Sequence, residues 1–236
     1  MSIKTVLFDL DGTLLPLDQD RFIKEYFGRL AKKLAPHGYD PDKLIKAIWA
    51  GTVAMVKNDG SKLNEEAFWD YFVTQFGEGS REDIPIFDDF YHNEFNGVKD
   101  VCGHSPLADE AVKKLKAKGK RVALATNPLF PAVATENRIR WAGLDRDDFE
   151  LYTTYENSHY CKPNPEYYRE ILDKLGANAC ECLMVGNDVR EDMIAETLGM
   201  KVFLLTDCII NKDDSDISRY PQGGFDELLK FIDNLE

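Results

Sequence analysis

The strongest constraint on the fold is a change of rhythm near residue 97. From there onward, short apolar or β-branched runs alternate with segments whose apolar residues recur at helical spacing. "PLADEAVKKLKAKG" reads as a helix, with Pro106 in its first turn and Gly119 just past its end. "RVALATN" reads as a strand, "PLFPAVATENRIRWAG" as a helix ending at Gly143, and "FELYTTYE" as a short strand. "NPEYYREILDKLG" is a helix opened by Pro165 and closed by Gly176. "CLMVGND" is a strand, "DMIAETLG" a helix, "KVFLLT" a strand and "GFDELLKFIDNL" a terminal helix. Strands separated by helices pair in parallel, so the pattern predicts a doubly wound α/β sheet.

One strand stands apart from this series. Residues 5–10, in "TVLFDLDGTLL", form a buried apolar run closed by a Gly turn. Between that run and residue 97 lie about 80 residues with helical periodicity only: "RFIKEYFGRLAKKLA", "PDKLIKAIWAGTVAMVK", "NEEAFWDYFVTQFG" and "DIPIFDDFYHNEF". The expectation is an all-helical domain (16–97) inserted after the first strand of a core made of 1–15 and 98–236, with hinges near 15–18 and 96–103. A chain of 236 residues has room for one substantial core and such an insertion. Trp49, Phe68, Trp69, Tyr71, Phe72 and Phe76 sit at helical spacing and are expected to form the insertion's own core. Trp49, Thr52, Met55 and Lys57, near a helix end, are candidates to face a site.

The net charge of −13 and a pI near 4.8 argue against nucleic-acid or anionic-membrane partners, which require basic surface. A small anionic substrate stays open, because a pocket can oppose the net charge. The N-terminus runs straight into the first strand without an apolar leader, and no run approaches the ~18 residues that span a bilayer. Cys102, Cys161, Cys180, Cys182 and Cys208 form neither a disulfide framework nor a zinc pattern, so reduced thiols and a cytoplasmic location are expected. His37, His92, His104 and His159 are scattered without ligand spacing.

In an open parallel sheet, ligands bind beyond the carboxyl ends of the strands. There the first strand presents Asp9 and Asp11, followed by Gly12 and Thr13, and the second presents Thr126 and Asn127. Lys162 lies in "KPNP" ahead of the helix at Pro165, and "CLMVGND" presents Asn187 and Asp188, with Asp192 four residues on. Asp9, Asp11 and Asp188 would repel one another unless a cation sat among them. Oxygen donors select a hard cation, Mg²⁺ first, which usually completes its shell with water and a substrate phosphate. Lys162 would offset the charge of that phosphate, and the Thr126 hydroxyl and nearby N–H groups could hold its oxygens. Such a rim suits phosphoryl transfer, in which positioning and electrostatics do most of the catalysis.

"DLDGTLL", "ATN", "KPNP" and "GNDVRED", in this order, resemble the four motifs of the haloacid dehalogenase-like superfamily, and the resemblance extends over the whole chain. It implies a Rossmann-like core with a helical cap and a Mg²⁺-dependent phosphatase acting on a small phosphorylated metabolite, without nucleic-acid, membrane or obligatory protein partners. Asp9 would be the nucleophile that takes the phosphoryl group, and Asp11 would protonate the leaving oxygen and then activate water. Thr126 and Asn127 would bind phosphate, and Lys162 would steady both nucleophile and phosphate. Asp188 would ligate Mg²⁺ with Asp9 and the backbone carbonyl of Asp11. The family's fourth motif usually begins Gly-Asp, whereas here it reads Gly186-Asn187-Asp188. Either Asn187 or Asp188 takes the ligand role; a carboxylate suits Mg²⁺ better, which leaves Asp192 to orient Lys162 or metal-bound water. A sugar phosphomutase would use the same residues. Dehalogenation fits less well, since the superfamily's dehalogenases lack the second acidic residue. A phospho-accepting signalling module would be smaller and would carry its Asp on a later strand.

Overall fold

The computed structural model describes residues 2–235. Its centre is a five-stranded, wholly parallel sheet: β1 (Thr5–Phe8), β2 (Arg121–Leu124), β3 (Cys182–Gly186), β4 (Lys201–Leu205) and β5 (Gln222–Gly223), in the order β2-β1-β3-β4-β5. The isolated N-terminal strand is therefore an interior one. Thr5 lies opposite Arg121 on one side and Cys182 on the other. Whatever follows Phe8 emerges in the interior of the sheet's carboxyl edge, between the ends of β2 and β3.

Period-two alternation sends successive side chains to opposite faces. Leu7, Ala123, Met184, Val202 and Leu204 pack with Tyr167, Tyr168 and Ile171 of α7 (Pro165–Leu175). Val6, Phe8, Val122, Leu124, Leu183, Val185 and Phe203 join a second cluster with α5 (Pro106–Ala117) and α8 (Phe225–Asp233). Both faces are covered, which is why these strands read as nearly unbroken apolar runs.

Between β1 and β2, ahead of α5, every regular element is helical: α1 (Gln19–Leu34), α2 (Pro41–Val56), α3 (Asn64–Phe76) and α4 (Ile84–His92), with short 3-10 turns. Asp18 caps α1 by accepting from the Arg21 N–H, and Asp40 caps α2 by accepting from the Lys43 N–H, both at 2.9 Å. Such caps contribute about 1 kcal/mol each. Phe68, Trp69 and Phe72 are buried among Phe87, Phe90 and Tyr91, while Phe76 is half-buried. Trp49 departs from the expected core, standing 45% exposed.

Four local expectations need correction. "FELYTTYE" runs beside β2 and exchanges hydrogen bonds with it, Leu124 donating to Leu151 and Thr153 to Leu124, but makes only a single bridge at Tyr152 before turning away. "DMIAETLG" is a 3-10 turn at Met193–Leu198, because Asp192 is held inward at its start. "DIPIFDDFYHNEF" splits at Asn93 into α4 and a 3-10 segment, Glu94–Val101. β5 is two residues long and carries no apolar pattern to betray it.

Candidate active site

Asp9 is the first residue beyond β1, and its N–H continues the ladder to the Val185 carbonyl at 2.9 Å. The chain then turns sharply. Gly12 has φ +85°, and a Cβ there would collide with the Asn187 side chain. Only glycine satisfies both the left-handed backbone and the close approach. The turn is closed by N–H bonds from Thr13 and Leu15 to the Leu10 carbonyl, and it brings Asp11 back to the same end of the sheet as Asp9.

Asp9 is 7% exposed. Its Oδ1 accepts from Lys162 Nζ at 2.8 Å and its Oδ2 from the Thr13 hydroxyl at 3.3 Å. Lys162 is 1% exposed and makes a second ion pair, to Asp192 Oδ1 at 2.6 Å. The other oxygen of Asp192 accepts the Asp188 N–H at 2.9 Å. Burial opposes the Lys162 charge, yet Asp192 and Asp9 hold its pKa well above the ordinary lysine value. Burial lifts Asp192 to about 7, against the pull of Lys162. The backbone around Lys162 is pinned by Asn127, whose Oδ1 accepts the Lys162 N–H at 3.2 Å and whose Nδ2 donates to Glu191 at 3.0 Å. Thr126 is fixed through its carbonyl, which accepts from the Thr153 and Tyr167 hydroxyls at 2.6 and 2.8 Å.

Asn187 and Asp188 leave the end of β3 differently. The Thr13 hydroxyl that faces Asp9 also donates to Asn187 Oδ1 at 3.0 Å, so the amide oxygen lies beside the nucleophile turn. Asp188 spends Oδ1 on the backbone N–H groups of Arg190 and Glu191, both at 2.8 Å. Asp9, Asp11, Thr126, Asn127, Asn187, Asp188 and Asp192 all line one cavity, with Lys162 directly behind Asp9. Trp49 and Thr52 line it too, whereas Met55 is fully buried and Lys57 is exposed, and neither lines it.

Arg138, in α6 (Ala132–Trp141), was not legible in the sequence. It is 1% exposed, stacks 4.5 Å over the Phe130 ring, bonds Thr135 Oγ1 and pairs with Asp11 Oδ2. Within "ENRIRW" it looks like one of two helix-surface arginines, and nothing local says which is turned inward. Burial raises the Asp11 pKa, Arg138 opposes and Asp9 adds to the rise. The net rise suits a carboxyl that must carry a proton. Arg138→Met leaves Asp11 without its cation and is expected to lower stability by about 3 kcal/mol, read by urea unfolding.

Among the described residues, no three His, Cys, Asp or Glu side chains converge as a ready-made metal site. A hard cation nonetheless fits one corner. Asp9 and Asp11 stand together there, and Asp11 Oδ1 is buried with no hydrogen-bond partner. An orphaned carboxylate oxygen beside a second carboxylate is a donor set for Mg²⁺.

A doubly wound sheet with paired carboxylates and a buried lysine at its carboxyl edge defines an α/β enzyme. Residues 3–195 match the haloacid dehalogenase-like hydrolase family. The chain belongs to that family and is a hydrolase. It is 27% identical over 202 residues to the pyrophosphatase PpaX of Bacillus cereus (strain AH820), covering 85% of this chain and 82% of the relative. Among solved structures, a HAD phosphatase from Thermococcus onnurineus superposes with a TM-score of 0.62 at 19% identity, covering 99% of both chains. A 2-haloacid dehalogenase from Pseudomonas syringae pv. tomato DC3000 gives 0.58 at 20%, over 98% of this chain and 97% of the other. These likenesses bear out the expected fold and family.

Proposed function

We propose that this hydrolase is a Mg²⁺-dependent phosphatase acting on a small phosphorylated metabolite through an aspartyl phosphate on Asp9. One observation carries the reading: Asp9 lies at the interior of the sheet's carboxyl edge, ionised against a buried Lys162, with a proton-holding Asp11 two residues away. Phosphatases among the relatives support it. So does Asp11 itself, which a dehalogenase would lack.

Asp9 attacks phosphorus while the bond to the leaving oxygen breaks, and Asp11 supplies the proton that oxygen takes up. Asp11 then removes a proton from water, whose oxygen attacks phosphorus and frees Asp9. Lys162 and the rigid Thr126-Asn127 turn hold the phosphoryl group's position, and Asp192 keeps Lys162 charged and aimed. Asp9 and Asp11 would hold the cation, which neutralises phosphoryl charge. Asn187, linked to Asp9 through Thr13, is favoured over Asp188 as third donor, because one Asp188 oxygen is occupied by the backbone. Residues 16–97 would act as a cap that excludes water, hinged near 15–18 and 96–103.

No helix among the described residues is long and apolar enough to cross a membrane, and all five cysteines are free thiols. A cytoplasmic enzyme working on a diffusible metabolite fits both. The test is inorganic phosphate release from a panel of phosphorylated metabolites. Release is expected with Mg²⁺, abolished by EDTA and restored by added Mg²⁺. Isomerisation of a hexose 1-phosphate without phosphate release would indicate a phosphomutase instead, and halide release from a 2-halo acid a dehalogenase.

A further inference from the structure

The cavity that begins at Asp9 and Asp11 does not end there. It continues between the sheet edge and the helices 19–92 as a space of about 230 Å³. Its far wall is built of Phe22, Ile48, Trp49, Trp69, Phe87 and Phe130. All but Trp49 and Phe130 are buried. Trp49 stands 45% exposed on α2, tilted against Phe27 with ring centroids 5.5 Å apart. A large exposed aromatic at the mouth of an aromatic cavity marks a binding surface rather than a packing surplus.

The charges on the lining point the same way. Asp9, Asp11, Asp88, Asp188, Glu191 and Asp192 all contribute to it, against one cation, the exposed Lys212 on the loop after β4. Lys162 and Arg138 are already matched to Asp9, Asp192 and Asp11. The aromatic wall itself offers no cation. A second negative group placed against it would be desolvated without a partner. Size sets a further limit. An apolar cavity of roughly 150 Å³ accepts benzene, so the space here takes one ring beside a phosphoryl group and nothing as long as a dinucleotide.

We propose that the substrate is a phosphomonoester whose organic part is apolar, about the size of one aromatic ring, and free of a second anionic group. The inference rests on the phosphoryl-site reading of Asp9 and goes beyond it by naming what the cap selects. It departs from the substrate named for the PpaX relative, pyrophosphate, which carries a second phosphoryl group.

Three phosphonates that cannot be hydrolysed separate this claim from the catalytic one. Ethylphosphonate, 2-phenylethylphosphonate and 2-carboxyethylphosphonate share a head group and differ only in the tail. Their dissociation constants are measured by calorimetry on the full chain with Mg²⁺. The phenyl compound is expected to bind roughly 10- to 100-fold more tightly than the ethyl compound, the range for burying one ring. The carboxylate compound is expected to bind no more tightly than the ethyl one. Trp49→Ala should shrink the phenyl advantage severalfold. Equal binding of phenyl and ethyl, tightest binding of the carboxylate, or a phenyl advantage untouched by Trp49→Ala overturns the proposal. Failure of all three to bind overturns it together with the phosphoryl-site reading. Tight phenyl binding by a protein that releases no phosphate from any ester leaves the pocket standing and sinks only the phosphatase.

Discussion

Asp9→Asn is expected to lose phosphate release by about 10⁴-fold or more, the scale on which removal of a nucleophile acts, while keeping the fold. The amide keeps the shape of the carboxylate, and its oxygen can still accept from Lys162 or Thr13. It cannot form the phosphoryl ester. Lys162 retains Asp192 as an ion-pair partner at 2.6 Å, so no buried charge is left alone. Circular dichroism and urea unfolding should therefore give near wild-type curves. A variant that is both folded and active would remove Asp9 from the mechanism.

Lys162→Met is expected to fail in both respects. It strips the shared cation from Asp9 and Asp192, two buried carboxylates that already repel each other. Breaking such a network costs about 3–5 kcal/mol, which for a chain of this size lowers the melting temperature by roughly 10 °C. The deficit has a definite pH dependence. The Asp192 carboxyl is raised to about 7 in the folded protein even with Lys162 present, against 3.8 as the ordinary value. Without the lysine it is raised further. The folded state then binds more protons than the unfolded state between about pH 4 and the raised value, so stability falls as pH rises through that window. The variant should be least stable, relative to wild type, above pH 7, and should recover part of the loss near pH 5. Urea titrations in EDTA at the two pH values check this; a deficit that grew on acidification would mean that Asp192 is held ionised by something other than Lys162.

The sheet was legible because its strands are buried on both faces and so read as apolar runs between helices with Pro and Gly at their ends. Its carboxyl edge was legible for the same reason, since polar groups stand out sharply there: Asp9 and Asp11, Thr126 and Asn127, Lys162, and Asn187 to Asp192 come from four distant segments to one cavity. Arg138 was not legible, because an inward arginine and an outward one look alike in "ENRIRW" and only the packing of α6 over Phe130 distinguishes them. The role of Asn127 also changed. Its type suggested a phosphate donor, but both ends of the amide are committed to Lys162 and Glu191, making it a brace. Trp49 followed the helical spacing of a core residue, yet its exposure reflects a cavity that periodicity does not encode.

The central claim is that the phosphoryl group passes through Asp9. The most direct measurement is mass spectrometry of the enzyme quenched in acid during turnover of its best phosphorylated substrate, with Mg²⁺ present. The account predicts one acid-stable, base-labile phosphoryl group on the peptide containing Asp9, absent from Asp9→Asn and absent when EDTA replaces Mg²⁺. Turnover with no label on that peptide, or with the label on another residue, would contradict it.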